Sequence, residues 1–376
     1  TGSPSPDYFG GSRNGDNKWA NSIVALRAAS GDVAWGFQLV HHDLWDYDTA
    51  APPLLATIVH GGRTRDVVIQ GNKTGFLYVL DRDTGAPVFG VEEKPVPASD
   101  VPGEMASRTQ PVPLAPPAVT RQRMSADEVW GLTPEDREQC RAAIAAVRNE
   151  GLFTPPSERG SLIVPGNVGG MNWSGYAFAA NQGVLVVNTN ELPAIVRLIP
   201  RERFSEETRA GGWDYAVQAG TPFGMARRFI QAPSGLPCSP PPWGQLTAVD
   251  LASGKIRWQV PLGSMSAWTG GRVSLPPGSV SLGGPIVTAS GVIFIAGSVD
   301  ARLHAFDLGG GRELWSGEVP ANGNATPMTY KLRRDGRQFV VVAAGGHAKV
   351  RESPVGDTLV AFALPRPSHQ GSSTKR

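Results

Sequence analysis

Short apolar runs alternate with polar, glycine-rich turns along most of the chain, and four of them repeat one pattern. In each, an apolar strand leads to a polar residue, glycine follows four residues later, and an aromatic residue follows four after that. The segments are VALRAASGDVAW (24–35), VLDRDTGAPVF (79–89), AVDLASGKIRW (248–258) and AFDLGGGRELW (305–315). The pattern predicts hairpins, because glycine accepts the positive φ of a tight turn. The turn glycines are Gly31, Gly85, Gly254 and Gly311, and the aromatic residues predicted to pack on a neighbouring sheet are Trp35, Phe89, Trp258 and Trp315.

The spacing of the repeats indicates one interruption. The aromatic residues are 54, 169 and 57 residues apart, so the long interval is close to three times the short ones. Part of the interval is 94–160, which begins rich in proline and continues as LTPEDREQCRAAIAAVRNEG (132–151). That segment predicts a helix with Thr133 as its N-cap, Pro134 at its first position and Gly151 as its stop. With 94–160 treated as an insertion, one further repeat fits, and WSGYAFAANQGVLVVN (173–188) is its candidate.

Repeats of this period, each with one small antiparallel sheet, predict an all-β fold of the β-propeller type. A β-sandwich is the alternative, but it does not predict a recurring glycine and aromatic pair. The 46 Gly and 33 Pro agree with a chain of many turns, and the 40% hydrophobic content of 376 residues is enough for a large core.

Charge and composition exclude some classes of function. The net charge is +2, and outside the C-terminal tail, 366–376, which we expect to be flexible, there is no basic run, which argues against nucleic acid as a partner. No window approaches the roughly 20 apolar residues of a membrane helix. The chain does not open on Met, so we expect a targeting segment and earlier sequence to precede it. Cys140 and Cys238 match no metal spacing; a disulfide and two buried thiols are equally compatible with the sequence.

Longer stretches resemble a known family. SIVALRAASGDVAWGFQLVHHDLWDYDTAAPPLLA (22–56), GNKTGFLYVLDRDTG (71–85), GLFTPPSERGSLIVPGN (151–167) and LGGPIVTASGVIFIAG (282–297) are similar to the PQQ-dependent quinoprotein dehydrogenases, in the membrane-bound branch that oxidises glucose, quinate or shikimate. The resemblance implies an eight-bladed propeller of which 1–376 is an incomplete C-terminal portion, with 94–160 as a partly helical insertion. It also implies PQQ and a calcium or magnesium ion as cofactors.

Asp16, in GDNKW, resembles the catalytic aspartate of that family. A base must take the hydroxyl proton while a quinone carbon takes hydride. The resemblance therefore implies Asp16 as the base and as the one metal neighbour in this chain. The alternative is that Asp16 and Asn17 close a turn, as Asp-Asn pairs often do.

Three further residues are implied as contacts of the cofactor. Lys73, in GNKTG, resembles the lysine that faces the quinone oxygens of PQQ, where a positive charge stabilises the reduced form. Asn172 and Trp173, in GMNW, match an Asn-Trp pair near the cofactor. The alternatives are a solvated surface lysine and a tryptophan in the core of a blade.

The segment HHDLWDYD (41–48) combines acids with aromatic residues, and we interpret it as structural, packed between blades, in preference to a metal site. His42 and Asp46 stay as minor candidates for pocket contacts, and His347, in AGGHAKV, for substrate contact.

The resulting expectation is a periplasmic dehydrogenase, held at the inner membrane through an N-terminal anchor, that passes electrons from a sugar or polyol to ubiquinone. We expect 1–376 alone to be inactive, because an incomplete propeller exposes open blade edges. The alternatives are a quinoprotein alcohol dehydrogenase and a non-catalytic propeller scaffold.

Overall fold

A computed structural model describes residues 1–209, 212–347 and 355–365, so the predicted tail, 366–376, lies outside the described residues. Most regular structure in the described part is antiparallel sheet. The strands are β1 (Ser22–Leu26), β2 (Val33–Gln38), β3 (Leu54–His60), β4 (Arg63–Gly71), β5 (Leu77–Asp81), β6 (Val91–Pro95), β7 (Thr109–Pro113), β8 (Ser161–Ile163), β9 (Tyr176–Ala179), β10 (Val184–Asn190), β11 (Ala194–Pro200), β12 (Asp214–Ala216), β13 (Phe223–Phe229), β14 (Gly244–Asp250), β15 (Lys255–Pro261), β16 (Ile286–Val287), β17 (Val292–Ile295), β18 (Arg302–Asp307), β19 (Glu313–Glu318), β20 (Met328–Lys331), β21 (Gln338–Ala344) and β22 (Thr358–Ala363).

Successive sheets are joined by the predicted aromatic and glycine pairs. The four turn glycines have φ between 68° and 78°. A Cβ added to Gly85 would lie 2.6 Å from the ring of Trp35, and Gly254 and Gly311 stand in the same relation to Phe89 and Trp258. Trp35, Phe89 and Trp258 therefore pack on the turn of the following repeat, and Trp315 contacts Phe362 of β22, with the ring centres 5.1 Å apart. The prediction that these aromatic residues pack on a neighbouring sheet is confirmed.

The repeats build sheets that stack in chain order. After the hairpin of β1 and β2 come β3-β4-β5, then β15-β14-β10-β9, β16-β17-β18-β19 and β20-β21-β22. Separate apolar cores fill the spaces between neighbours: Ile69 and Val79 meet Leu185 and Val187, and further on Val186 and Ala248 belong to one core with Ile293 and Phe306. Sheets that bury both faces against their neighbours are the arrangement of a propeller.

The hairpin at 173–188 does not form a repeat of its own. β9 and β10 do lie on either side of a turn, as predicted, but β10 pairs with β14 along its whole length, from Val184 with Asp250 to Asn190 with Gly244. The predicted extra repeat is therefore wrong, because this hairpin and the repeat at 248–258 are the two halves of one sheet. The chain between them forms part of a separate structure.

That separate structure is a second layer, which we call the inserted sheet: β12-β13-β11-β8. One face, with Val196, Leu198 and Met225, packs against Trp45 and Tyr78 in the largest core of the molecule. The other face, with Leu162 and Ile195, packs against the helix α1 (Pro134–Ala145), and the core between them includes the disulfide between Cys140 and Cys238. The inserted sheet thus covers the segment 41–48.

The helix α1 begins as predicted and ends earlier. Thr133 Oγ1 accepts a hydrogen bond from the backbone N–H of Asp136, and Pro134 is the first residue. The helix ends at Ala145 and not at Gly151, because Arg148 already pairs with the strand β8 through Gly160 and Leu162. Pairing with a strand distant in the chain replaces the expected glycine stop.

A second helix, α2 (Arg201–Arg209), follows β11, and two short 3-10 helices lie at Ala126–Glu128 and Ser266–Thr269. Within the described ranges, no helix combines the length and the apolar character required to cross a bilayer.

Candidate functional site

The centre of the candidate site is an ion-paired cluster around Lys73. Lys73 lies in the loop after β4 and is only 6% exposed. Its Nζ lies 2.8 Å from Asp46 Oδ1 and 2.7 Å from Asp48 Oδ2. A buried ammonium with two carboxylate partners is not the solvated surface lysine that was the alternative.

The aromatic residues of the segment 41–48 hold the two acids in place. Trp45 Nε1 donates to the carbonyl of Thr154 at 2.7 Å, and the Tyr47 hydroxyl donates to that of Pro165 at 3.0 Å. Both rings are fully buried, whereas Asp46 and Asp48 remain partly open. Alternating anchors thus leave the acids beside Lys73, and Asp46 adopts a φ of 61°, which is rare for a residue other than glycine.

The two carboxylates of this cluster differ in ionisation. Burial raises the pKa of Asp46 to about 7, against the opposing influence of Lys73. Burial acts in the same direction on Asp48, but the charge and hydrogen bond of Lys73 outweigh it and lower the pKa of Asp48 to about 2. Burial opposes the charge on Lys73, but Asp46 and Asp48 outweigh it and raise the pKa of the ammonium. Asp46 is therefore the acid that can gain and lose a proton near neutral pH.

Two more side chains reach Asp46 from distant parts of the chain. Arg227 Nη1, on β13 of the inserted sheet, lies 3.4 Å from Asp46 Oδ2. The hydroxyl of Tyr8 donates to the same oxygen at 3.3 Å. Burial, followed by the charge of Asp46, holds the pKa of Tyr8 well above its usual range, so this hydroxyl keeps its proton.

The glycine-rich loop that carries Asn172 and Trp173 packs on Lys73 through Gly169 and Gly170. A Cβ on Gly169 would lie 2.5 Å from the Lys73 side chain, and Gly170 N–H donates to the Lys73 carbonyl at 2.7 Å. Asn172 is buried and its amide donates to Val168 at 2.8 Å, while Trp173 is 46% exposed. The ring of Trp173 stacks on His347, with the ring centres 5.9 Å apart.

Asp16 occupies a different environment. Its carboxylate is half exposed and lies 3.5 Å from Lys18. Its backbone carbonyl accepts hydrogen bonds from the side chain of Gln38 and the backbone of His42. In the part of the chain that the structure describes, no ion pair or hydrogen bond joins the carboxylate of Asp16 to Lys73.

His42 has a structural partner. Its Nε2 lies 2.8 Å from Glu104 Oε1, with both side chains 2% exposed, and its Nδ1 bonds the carbonyl of Gly15. Glu104 also accepts from the backbone of Gly10. These contacts fix the N-terminal loop that carries Tyr8.

Sequence reasoning missed Asp48, Tyr8 and Arg227 and ranked Asp46 low. The sequence did carry a signal for the two acids, because aromatic and acidic residues alternate in 41–48. Such an alternation is typical of aromatic side chains that are buried on one side while the acids lie together on the other. Tyr8 and Arg227 gave no such signal, because their contacts depend on how distant segments pack.

The family described as "PQQ: Glucose/ethanol/alcohol dehydrogenase, beta-propeller domain" matches residues 1–340. A quinoprotein glucose dehydrogenase of Escherichia coli is 39% identical over 97% of this chain and 47% of its own length. A quinate/shikimate dehydrogenase (quinone) of Acinetobacter baylyi is 37% identical over 96% of this chain and 46% of its own length.

Among solved structures, a quinohemoprotein alcohol dehydrogenase from Comamonas testosteroni superposes with a TM-score of 0.57 at 26% identity, over 92% of this chain and 42% of that one. The chain thus spans just under half the length of these relatives. Together the matches show that the chain belongs to the PQQ-dependent quinoprotein dehydrogenases, of whose β-propeller it forms a part.

Proposed function

We propose that the protein containing this chain is a PQQ-dependent dehydrogenase for a sugar, polyol or cyclic hydroxy acid of the glucose, quinate or shikimate type. The observation that carries this proposal is the cluster in which buried Lys73 contacts Asp46 beside the loop of Asn172. Oxidation of a hydroxyl group requires a base for its proton and a positive charge where the acceptor gains electrons, and the cluster contains both.

We propose Asp46, in preference to Asp16, as the base. A general base works best when its pKa is close to the operating pH, and burial brings the pKa of Asp46 to about 7. Asp46 is also a direct neighbour of Lys73, whereas the exposed carboxylate of Asp16 pairs with Lys18. On this proposal Asp16 and Asn17 close the turn that positions the start of the segment 41–48.

Lys73, Asn172 and Trp173 are the residues that would hold PQQ. The donor set fits an anionic quinone, since Lys73 is a buried cation and Asn172 a buried amide. Trp173, which follows Asn172, is partly exposed and stacks on His347. When bound, PQQ supplies the electron acceptor for the substrate. Lys73 would stabilise negative charge on its oxygens, and Asp46 would hold the proton removed from the substrate.

The described residues of this chain do not by themselves provide a metal site. No group of three or more His, Cys, Asp or Glu side chains within 1–209, 212–347 and 355–365 is arranged to hold an ion. The predicted calcium or magnesium ion at Asp16 stays a prediction.

The electron acceptor and the location extend the same proposal. The Acinetobacter baylyi relative carries quinone in its name, which supports a quinone as acceptor. Ubiquinone is the narrower proposal, made by analogy with the membrane-bound branch. The disulfide between Cys140 and Cys238 supports an oxidising compartment such as the periplasm. Attachment to the inner membrane is proposed by analogy with the membrane-bound branch.

The test compares wild type, Asp46→Asn and Asp16→Asn in the protein that contains this chain. PQQ binding is followed by absorbance, and turnover by dye reduction with glucose, quinate and ethanol. We expect Asp46→Asn to bind PQQ and to turn over at least about 100-fold more slowly, as for the loss of a general base. Asp16→Asn should retain most activity.

Full activity of Asp46→Asn would contradict the assignment of the base, and loss of turnover only in Asp16→Asn would restore Asp16. Ethanol as the preferred substrate would favour an alcohol dehydrogenase. Failure of the wild type to bind PQQ would leave the scaffold as the remaining reading.

A further inference from the structure

Arg227, which contacts Asp46, also forms an ion pair with a further acid, Asp214. Arg227 Nη2 lies 2.6 Å from Asp214 Oδ2, and the two residues face each other in the register of β12 and β13. Arg227 Nη1 bonds the hydroxyl of Tyr8 at 2.5 Å. The guanidinium is thus fixed at both ends and is only 15% exposed.

The charges around Asp46 explain why a second cation matters. Lys73 is shared between Asp46 and Asp48, so one positive charge faces two carboxylates. Arg227 adds a second positive charge at Oδ2 of Asp46. The negative charge of Asp214 pairs with the other terminal nitrogen of Arg227, Nη2. The hydroxyl of Tyr8 also contacts Asp46. Burial raises the pKa of Asp46, and the nearby carboxylate of Asp48 raises it further through its charge and a hydrogen bond. Asp7 adds a more distant negative charge, which interacts with Asp48 and Lys73.

We propose that Arg227 is a positioning residue for Asp46: held by Asp214 and Tyr8, it orients the carboxylate and favours its ionised form. This inference rests on the proposed role of Asp46 as the base. It gives the inserted sheet a function in the reaction, because β12 and β13 carry the charge pair that adjusts the base.

Two substitutions test the ion pair of Arg227 and Asp214, and they should change the pKa of Asp46 in opposite directions. Removal of the positive charge in Arg227→Gln is expected to raise the pKa of Asp46 by about 1 unit or more, as for loss of an opposite charge within 4–6 Å. Removal of the negative charge in Asp214→Asn leaves Asp46 as the carboxylate that Arg227 contacts among the described residues, which should lower that pKa. Arg227→Lys keeps the charge and should restore most of the wild-type value.

The matched control is Arg228→Gln. Arg228 follows Arg227 on β13 but stands over the ring of Trp213, with its guanidinium carbon 4.3 Å from the ring centre. The substitution Arg228→Gln should leave the pKa of Asp46 unchanged.

The readout is ¹³C NMR titration of the aspartate carboxyl carbons in the cofactor-free protein, with Asp46→Asn used to identify the resonance. The acid limb of kcat/KM against pH in the PQQ-loaded protein should shift in the same direction. An unmoved resonance in both Arg227→Gln and Asp214→Asn would overturn the inference. If Arg227→Gln does not fold, the expected downward shift in Asp214→Asn, whose target side chain is 63% exposed, decides the question.

The outcomes separate this inference from the proposed function. One outcome is that Asp46→Asn abolishes turnover while Arg227→Gln and Asp214→Asn leave the pKa of Asp46 unchanged. In that case Asp46 is still the base, and Arg227 is not its positioning residue. If Asp46→Asn keeps full turnover, the base is elsewhere and this inference fails with it.

Discussion

The indole ring of Trp35 packs on Gly85, fifty positions further along the chain. A Cβ at Gly85 would lie 2.6 Å from Cε3 of Trp35, and Trp35 Nε1 donates to the carbonyl of Arg82 in the same turn at 3.0 Å. The glycine therefore has two tasks: it adopts a φ of 73° and it leaves room for the ring.

Substitution Gly85→Ala tests this double requirement, with Gly31→Ala as its matched control. Gly31 has a similar φ of 78°, but a Cβ there meets nothing within 4 Å. Gly31→Ala should cost about 1 kcal/mol through the backbone alone. Gly85→Ala should lower the free energy of unfolding by about 1–3 kcal/mol more, through displacement of the ring. Denaturant unfolding measures both; equal losses would contradict the packing argument.

Glu191, the residue that follows β10, predicts a pH-dependent stability. It is 4% exposed beside a cavity of about 560 Å³, and burial raises its pKa to about 7, although the backbone and charge of Arg121 oppose the shift. In the unfolded chain a glutamate ionises near pH 4.3. Below that pH both states are protonated and the stability contribution is complete; it is lost as the pH rises from about 4 to about 7.

Glu191→Gln should therefore gain stability relative to wild type as the pH rises through this window, by up to about 4 kcal/mol at pH 8. The melting temperature of both proteins at a series of pH values measures the effect. Glu138→Gln, at an exposed position of α1, is the control and should show no such trend. A constant difference for Glu191→Gln between pH 4 and pH 8 would contradict the assigned shift.

The disulfide links α1 to the end of the inserted sheet. Cys140 and Cys238 are 98 positions apart, with 5.5 Å between their Cα atoms. The double substitution Cys140→Ala with Cys238→Ala should reduce the free energy of unfolding by about 2–4 kcal/mol, because the unfolded chain loses a long closed loop. Thermal unfolding with and without reductant measures this. Reductant should not change the melting temperature of the double variant. A wild type whose melting temperature also stays the same after full reduction would contradict the prediction.

Local sequence predicted the elements whose cause is local. The turn glycines and the start of α1 at Thr133 depend on φ preferences and on one capping hydrogen bond, which a few adjacent residues decide. The packing of these aromatic residues on a neighbouring sheet was also predictable, because the aromatic position recurs in every repeat. That three of them lie on the turn glycine of the next repeat became evident only in the structure.

Elements that depend on distant partners were not predictable. The end of α1 is set by the pairing of Arg148 with β8. The hairpin at 173–188 pairs with β14, from which most of the inserted sheet separates it along the chain. Nothing in either segment indicates which strand lies beside it.

The candidate site divides in the same way. The sequence by itself determined the family resemblance, the glycine and aromatic repeat and the selection of Lys73, because these are properties of contiguous residues. Only the tertiary structure decided that Lys73 faces Asp46, and that Tyr8 and Arg227 complete the cluster from 38 and 181 positions away. The physical reason is that burial and neighbouring charges determine how a carboxylate ionises, and both exist only once distant segments have packed together.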